Sequence, residues 1–529
     1  MLAALLVSLA ALRAPVAPEL DGYPLTRYLG LLPSFRRDAV GCFAAHASYC
    51  RDQGLDAVAL DMGLLGRFTM VIGSEQVSSI FDDRENIYFK SAIDRRGVGL
   101  LTGIGVLLAD GEEHTLRRRL VLPSFEPRRL DRYVDIMSTV ATDLADELLQ
   151  AAESTPSRSS NMPVAGTMSA AALRIVGLCL FSSDPSANAG SFASALEACL
   201  EHTVWISRTA LPPPNWLPTR RNRRFRRNLR TLDDFVYGLI NERRRSAQSG
   251  ARRAAEAVAR ARGQPVEEGK GDLLDMLLEA EVAQEEAGSD GADGGDGAGG
   301  NRGRGGGGAV SLSAREVRDE AMTLMLAGHE TSALALTWCL HYLSADDMAG
   351  WCEDIASEGR ELLRNGASPA VLERGMPKTR AALSEALRLR PPAWAFDREV
   401  QREVTLPGGI ELRRRDIVLL SPFAQHQDPA VFDEPERYDP ARFLERPAQG
   451  NGDPWDGGYG KYEYFPFGQG RRRCLGYRFA RWEMLVLLAT LLARVEISRP
   501  AGYSAPLCDG SVTLRPASEF ELCVRRRES

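Results

Sequence analysis

One segment limits what this chain can build more than any other. Phe467-Gly468-Gln469-Gly470-Arg471-Arg472-Arg473-Cys474-Leu475-Gly476 lies between the aromatic residues Tyr462, Tyr464 and Phe465 and an apolar, helix-like stretch that opens near Tyr477. Its three glycines allow a sharp turn and let the backbone approach a flat object closely. Cys474 then falls at a helix N-terminus beside arginines, where the helix dipole and the cations favour thiolate over thiol. Backbone N–H groups in such a loop can hydrogen-bond the sulfur and tune a bound metal. A thiolate held in this way suits an axial haem ligand. A lone cysteine is more often a small buried hydrophobe, and Cys42, Cys50, Cys179, Cys199, Cys339, Cys352, Cys508 and Cys523 are read in that way.

A second segment carries chemistry of another kind. Ser313 with Glu316 three residues on forms a capping box, and apolar periodicity continues to about Leu343. Thirty helical residues would cross roughly 45 Å. The centre reads Ala327-Gly328-His329-Glu330-Thr331-Ser332, and Leu324, Gly328, Thr331 and Ala335 share one face. Thr331 can bond back to the Ala327 carbonyl and loosen the helical ladder. That would leave a groove with a hydroxyl in it and a carboxylate next door. The hexamer alone equally suits a small-residue face for close helix packing.

The spacing FxxGxRxCxG in 467–476, continued by Ala480 and Glu483, resembles the haem-ligand signature of the cytochrome P450 family at all five fixed positions. The resemblance implies a haem b (iron protoporphyrin IX) held by Cys474 as metal ligand. It further implies Arg472 on a haem propionate, Phe467 shielding the sulfur, and Gly476 letting the helix pass close to the porphyrin. The 327–332 hexamer is similar to the family's oxygen-binding helix, with Ala327 and Gly328 at the cofactor, Thr331 attending dioxygen and Glu330 delivering protons. His329 sits at a variable position and receives no ligand role. Glu385 and Arg388 (Glu-Ala-Leu-Arg) match the ExxR motif, and Arg442 in Pro440-Ala441-Arg442-Phe443 matches its partner; all three are read as structural. His114 and Arg118, spaced i,i+4, resemble the family's propionate-binding pair, and Arg398, seven residues after Pro391, matches a third such position.

The activity implied is that of a haem-thiolate monooxygenase, which inserts one atom of dioxygen into a lipophilic small molecule by C–H hydroxylation or epoxidation. The thiolate pushes electron density that favours O–O cleavage. The rival readings are a peroxide-driven peroxygenase, a non-hydroxylating haem enzyme, and a non-catalytic haem sensor. No ferredoxin cysteine spacing or flavin module is evident, so electrons are expected from a separate ferredoxin or flavodoxin/reductase. Arg471 and Arg473 are candidate docking cations or ordinary solvated arginines. By family position the substrate walls come from 91–106, 200–211, the oxygen helix and 393–396, with Trp394 and Phe396 marking an apolar pocket.

Composition narrows the setting. Lys+Arg 65 against Asp+Glu 71 gives a net charge of −6, without the basic footprint of a general nucleic-acid binder. Nine scattered cysteines without a CxxC pair point to a reducing interior. Residues 1–12 are uncharged and mostly apolar, shorter than the ~20 needed to span a bilayer and without the basic start of a signal peptide. The expectation is a soluble, cytoplasmic, monomeric protein, with peripheral membrane association through the N-terminus left open. Seven arginines (Arg220, Arg221, Arg223, Arg224, Arg226, Arg227, Arg230) form a run that reads either as a solvated helix face or as contact with an anionic surface or acidic substrate.

The pattern elsewhere is mainly α with a small β component. Helices are expected at 132–153, 229–252, 272–286, 372–389 and 477–495. Strands are expected at 404–406, 411–412 and 417–419, with a turn at Pro407-Gly408-Gly409. A length of 529 residues suggests two domains, and twelve glycines between Gly288 and Gly308 look like the seam. Yet His114 and Arg118 precede that tract, while Thr331, Arg398, Arg472 and Cys474 follow it, and by the resemblance all meet one porphyrin. The expected organisation is an extension over 1–19 and one haem-centred domain over 20–529, with 288–308 as a flexible surface insertion.

Overall fold

The computed structural model describes residues 31–186, 189–209, 211–248, 272–289, 312–445 and 453–528. The 1–19 extension and nearly all of the glycine tract lie outside them. The helices that position the site are α1 (Gly111–Val121), α2 (Pro127–Glu153), α3 (Val164–Phe181), α4 (Ala189–Ser207), α5 (Arg220–Gln248), α6 (Ala314–Leu343), α7 (Ala349–Asn365), α8 (Pro377–Leu389) and α9 (Tyr477–Arg494).

The capping box forms as the sequence predicts: the Ser313 N–H donates to Glu316 Oε2 at 2.8 Å, and the Glu316 N–H donates back to Ser313 Oγ. Beyond this cap α6 is buried on most sides: apolar residues between Val317 and Leu343 reach nearly every face, and Arg318, Asp319 and Glu320 are buried with them through ion pairs. It packs closely on α3, and Gly328 is part of the reason. A Cβ there would lie 3.0 Å from Val176 Cγ2, so both readings of that glycine hold, as cavity wall and as packing notch. By length and hydropathy α3 could cross a bilayer, but most of it is buried inside the protein, as in a core helix.

Helix α9 is likewise buried from Phe479 almost continuously to Leu492 and packs against α2 and α7. Gly359 of α7 meets it so closely that a Cβ would fall 2.0 Å from the Ala489 carbonyl oxygen. This contact fixes the axis of α9, and with it the loop that carries Cys474.

A five-stranded sheet flanks the helices. Its strands are β1 (Ala57–Asp61), β2 (Arg67–Val71), β3 (Tyr88–Phe89), β4 (Phe396–Val400) and β5 (Ile417–Leu420), in the order β1-β2-β5-β4-β3. Only the β2–β5 pair is parallel. All four residues of β5 are buried, as a central strand covered on both faces requires. The period-2 geometry of β4 puts Phe396 and Arg398 on one face and Asp397 on the other. A hairpin, β6 (Cys508–Gly510) and β7 (Leu514–Pro516), brings a carboxy-terminal turn back to the helices.

Two expectations change. The helix expected over 372–389 is two, Pro369–Arg374 and Pro377–Leu389. Pro377 lacks the N–H that a continuous helix needs, and instead opens the second one. The helix expected from 229 begins at Arg220, where Thr219 Oγ1 accepts the Asn222 N–H at 3.1 Å. Strands β1 and β2 had no clear signal: four consecutive buried residues in each lack the alternation that marks a strand.

Candidate active site

The cysteine loop is built by its glycines. Gly468 and Gly470 take φ +64° and +67°, and a Cβ on Gly470 would meet the Phe81 carbonyl oxygen at 2.0 Å. The Cys474 N–H donates to the Phe467 carbonyl at 2.9 Å and closes the loop. Gly476 caps α9 and abuts Phe125, where a Cβ would sit 3.3 Å from Cε1. Cys474 is the one cysteine with an open surface, and that surface faces the interior of the protein; the rest are buried or half-buried. It opens into a cavity of about 300 Å³. Phe467, beside the sulfur, also carries the Arg481 guanidinium 5.2 Å from its ring centre.

The expected ease of thiolate formation is corrected. Burial raises the Cys474 thiol above its ordinary value, and the Gly476 N–H, Arg118, Arg473 and Arg481 only partly oppose it. The loop is poised for a thiolate that a bound metal stabilises.

One end of the cavity is cationic. His114 and Arg118 of α1, Arg398 of β4 and Arg472 of the loop all line it. Arg118 Nη1 donates to the Arg473 carbonyl at 2.9 Å, and Arg472 Nη2 donates to the Ala109 carbonyl at 2.7 Å and pairs with Asp110. Burial, then Arg472 and Arg118, lower His114 to about 3, so it is a neutral donor here. Burial, then Arg398, lower Arg472 to about 10. Burial also lowers Arg398 and Arg118. Cations crowded in this way at a cavity mouth are stabilised by an anionic ligand.

The opposite wall is α6. Leu324, Ala327, Gly328, Thr331, Ser332 and Ala335 line the cavity, and Thr331 Oγ1 donates to the Ala327 carbonyl at 2.7 Å, as its spacing predicted. Glu330 does not line the cavity; its Oε1 accepts from Thr513 Oγ1 at 2.8 Å in the β6–β7 turn. Burial raises its carboxyl, against the pull of Thr513 and Arg515. Arg515 in turn lies 3.6 Å from the largely exposed Glu197. No spacing in the sequence pointed to Thr513 or Arg515. His329 bonds Ser169 Oγ at 2.7 Å, away from any ligand role.

Below Ser332 lies Glu483 of α9, fully buried, with both carboxyl oxygens lacking a regular hydrogen bond. Burial pushes it from 4.5 to about 8, and Ser332 pulls only weakly the other way. It is therefore protonated at neutral pH. The unfolded chain ionises this group at lower pH than the fold does, so its contribution to stability is intact below about pH 4.5 and falls as pH rises through about 8. Glu483→Gln is expected to match the parent near pH 4.5 and to exceed it by a few kcal/mol above pH 8. Guanidinium unfolding at both pH values checks this; an equal difference at both contradicts it.

Three expectations about the surroundings are corrected. Trp394 does not face the cavity; it packs on Phe43 at 5.0 Å between ring centres and donates to the Ser511 carbonyl. Phe396 and Ala393 do line it, but the described residues of 200–211 do not, and Leu180, Leu387 and Met484 contribute instead. Arg473 is not a free docking cation: it lies over the Tyr477 ring at 4.2 Å and faces Asp453 at 3.7 Å, whereas Arg471 is exposed.

A thiol at the floor of an apolar cavity, with arginines at one rim and a helix carrying a threonine opposite, is the receptor of a haem-thiolate protein. The donor set fits the group: sulfur for iron, apolar walls for the ring and cations for its carboxylates. The chain matches the family model "Cytochrome P450" over residues 60–524, and it belongs to that family. It is 30% identical to cyclooctatin synthase of Streptomyces melanosporofaciens, over 74% of this chain and 73% of that protein. It is 29% identical to cytochrome P450 4F2 of Homo sapiens (75% and 69%) and 28% to taurochenodeoxycholic 6 alpha-hydroxylase of Sus scrofa (80% and 76%). The chain is a cytochrome P450 monooxygenase with haem b as cofactor, using dioxygen, a redox partner and a hydrophobic substrate.

Proposed function

We propose that this enzyme hydroxylates or epoxidises a lipophilic small molecule, with Cys474 as the residue that would hold the haem iron and electrons from a separate ferredoxin or flavodoxin/reductase. The observation that carries the reading is the placement of Cys474, Thr331 and the His114–Arg118–Arg398–Arg472 cluster on one largely apolar cavity. Haem, when bound, supplies dioxygen activation and the oxidation of the substrate C–H bond. His114, Arg118, Arg398 and Arg472 would hold its propionates. Phe467 and the loop backbone keep water from the sulfur, and Ala327, Gly328 and Gly476 leave room for the ring. Thr331 holds a proton on Oγ1, shared with the Ala327 carbonyl, and can turn it into the cavity. Glu330, its carboxyl raised by burial and hydrogen-bonded by Thr513 Oγ1, is the acid next to Thr331 that supplies protons to this wall of the cavity. Exposed Arg471, without Arg473, is the docking cation left beside the loop. A hydroxylase among the relatives supports the reaction type, and the apolar lining (Val106, Leu107, Leu324, Phe396) supports the substrate class.

Thr331→Ala is expected to leave reductant consumption largely intact while product per reductant falls about tenfold or more, the remainder appearing as hydrogen peroxide. Unchanged coupling contradicts the proton role. The substrate class is tested by titrating lipophilic and polar compounds against the haem spin-state spectrum. Micromolar shifts confined to lipophilic compounds are expected; shifts by polar compounds alone overturn it.

A further inference from the structure

The one cation in the buried run of α9 has no part in the site described so far. Between Phe479 and Leu492 that helix buries mainly apolar side chains, and its exceptions are Glu483, protonated at neutral pH, and Arg481. A buried guanidinium is costly unless its donors are paired. Here the pairing is incomplete. Arg481 Nη1 pairs with Asp453, Nη2 lies 3.7 Å from Asp456, and Nε has no hydrogen-bond partner among the described residues. Carboxylates hold its edge and aromatic rings surround it, at 4.9 Å from the centre of Trp455 and 5.2 Å from those of Phe467 and Tyr477.

Two of those rings belong to the cysteine loop or adjoin it. The Phe467 carbonyl accepts the Cys474 N–H at 2.9 Å, and Tyr477 opens α9 three residues after Cys474. Arg473, next to the cysteine, covers Tyr477 as well, at 4.2 Å, and shares Asp453 at 3.7 Å. Arg481 is the inner member of this group: its side chain is 6% exposed, against 27% for each carboxylate. Water screens the outer charges more than the inner one. Arg481 and Arg473 accordingly oppose the upward push of burial on the Cys474 thiol.

We propose that Arg481 sets the ease of haem-iron reduction: its charge, held behind Phe467, withdraws electron density from the Cys474 sulfur and favours the ferrous over the ferric form, with Asp453 as its counterweight. This rests on Cys474 as the residue that would hold the iron, and it makes Arg481 a positioning residue that touches neither iron nor substrate. Net charge and hydrogen bonding around a metal's sulfur ligand govern such a potential. The electron comes from the separate donor and enters the iron, and no bond or proton changes at Arg481. A purely structural Arg481 would tie 453–456 to α9. Removing it or Asp453 would then act alike, since both break one ion pair. A charge acting on the sulfur makes the two removals act oppositely.

The test is a spectroscopic redox titration of the substrate-free holoenzyme, after the parent has shown the red-shifted Soret band of its reduced, carbon monoxide-bound form. At a fixed applied potential, Arg481→Gln is expected to lower the ferrous-to-ferric ratio about tenfold, or ~59 mV for one electron. Asp453→Asn is expected to raise it about threefold, the smaller effect of a more exposed charge; asparagine can still accept the Trp455 N–H. Arg481→Lys keeps the charge and is expected to stay within about twofold of the parent. Shifts of Arg481→Gln and Asp453→Asn in one direction overturn the proposal. So does a fall in Arg481→Lys as large as that in Arg481→Gln, which would assign the effect to shape. Should Arg481→Gln fail to fold, Asp453→Asn decides: a raised ratio supports the proposal, and an unchanged or lowered one overturns it. A parent without the carbon monoxide band overturns the reading of Cys474 and this inference with it, whereas unshifted variants of a parent with the band overturn this inference alone.

Discussion

Cys474→Ser is expected to fold with its loop intact, because the loop is closed by the Cys474 backbone N–H on Phe467 and by the conformations of Gly468 and Gly470, none of which needs sulfur. The variant is expected to lose the red-shifted Soret band of the reduced, carbon monoxide-bound form. Loss of partners beyond a metal's ligands typically costs 10–100-fold, so loss of the ligand itself should lower product formation by more than about 100-fold. The other eight cysteines cannot substitute, since each is buried or half-buried and none lines the cavity. Persistence of the band in the serine variant would show that another group holds the iron.

Arg388→Ala is expected to have the largest effect on stability. Arg388 and Glu385 are both fully buried, joined by Nε to Oε2 at 2.7 Å and Nη2 to Oε1 at 2.8 Å. Arg388 also donates to the carbonyls of His426, Pro435 and Arg437, which ties α8 to the segment leading to the cysteine loop. Arg442 Nε and the Asp439 N–H complete the set on Glu385 Oε1, at 3.0 and 2.9 Å. Deleting Arg388 leaves Glu385 Oε2 and three carbonyls without this donor, a loss of about 3–5 kcal/mol. Guanidinium unfolding followed with haem retention should show both falling together. A small loss, near the ~0.5 kcal/mol of an exposed pair, would mean that the network carries little.

What could be read before folding was local. The cysteine loop shows itself because glycine conformation, cation placement and a helix start fall within ten residues, and α6 because a capping box and its central hexamer lie on one helix. The ExxR pair was visible only as a spacing, since its burial depends on carbonyls about forty residues away. Thr513, which bonds Glu330 across 183 residues, left no local trace at all. The error at Trp394 has a similar origin: only the pairing of β4 with β5 decides that Phe396 and Arg398 turn into the cavity, while Trp394 joins Phe43 elsewhere. Arg473 looked free because Asp453 and Tyr477 reach it only in three dimensions.

Isotope incorporation decides whether this cavity supports reductive activation of dioxygen. The holoenzyme would be given a separate electron donor, a lipophilic substrate chosen by its spin-state shift, and isotopically heavy dioxygen. One heavy oxygen atom is expected in each product molecule, with reductant consumed in step. Product formed only with added peroxide, or carrying oxygen from water, would contradict it.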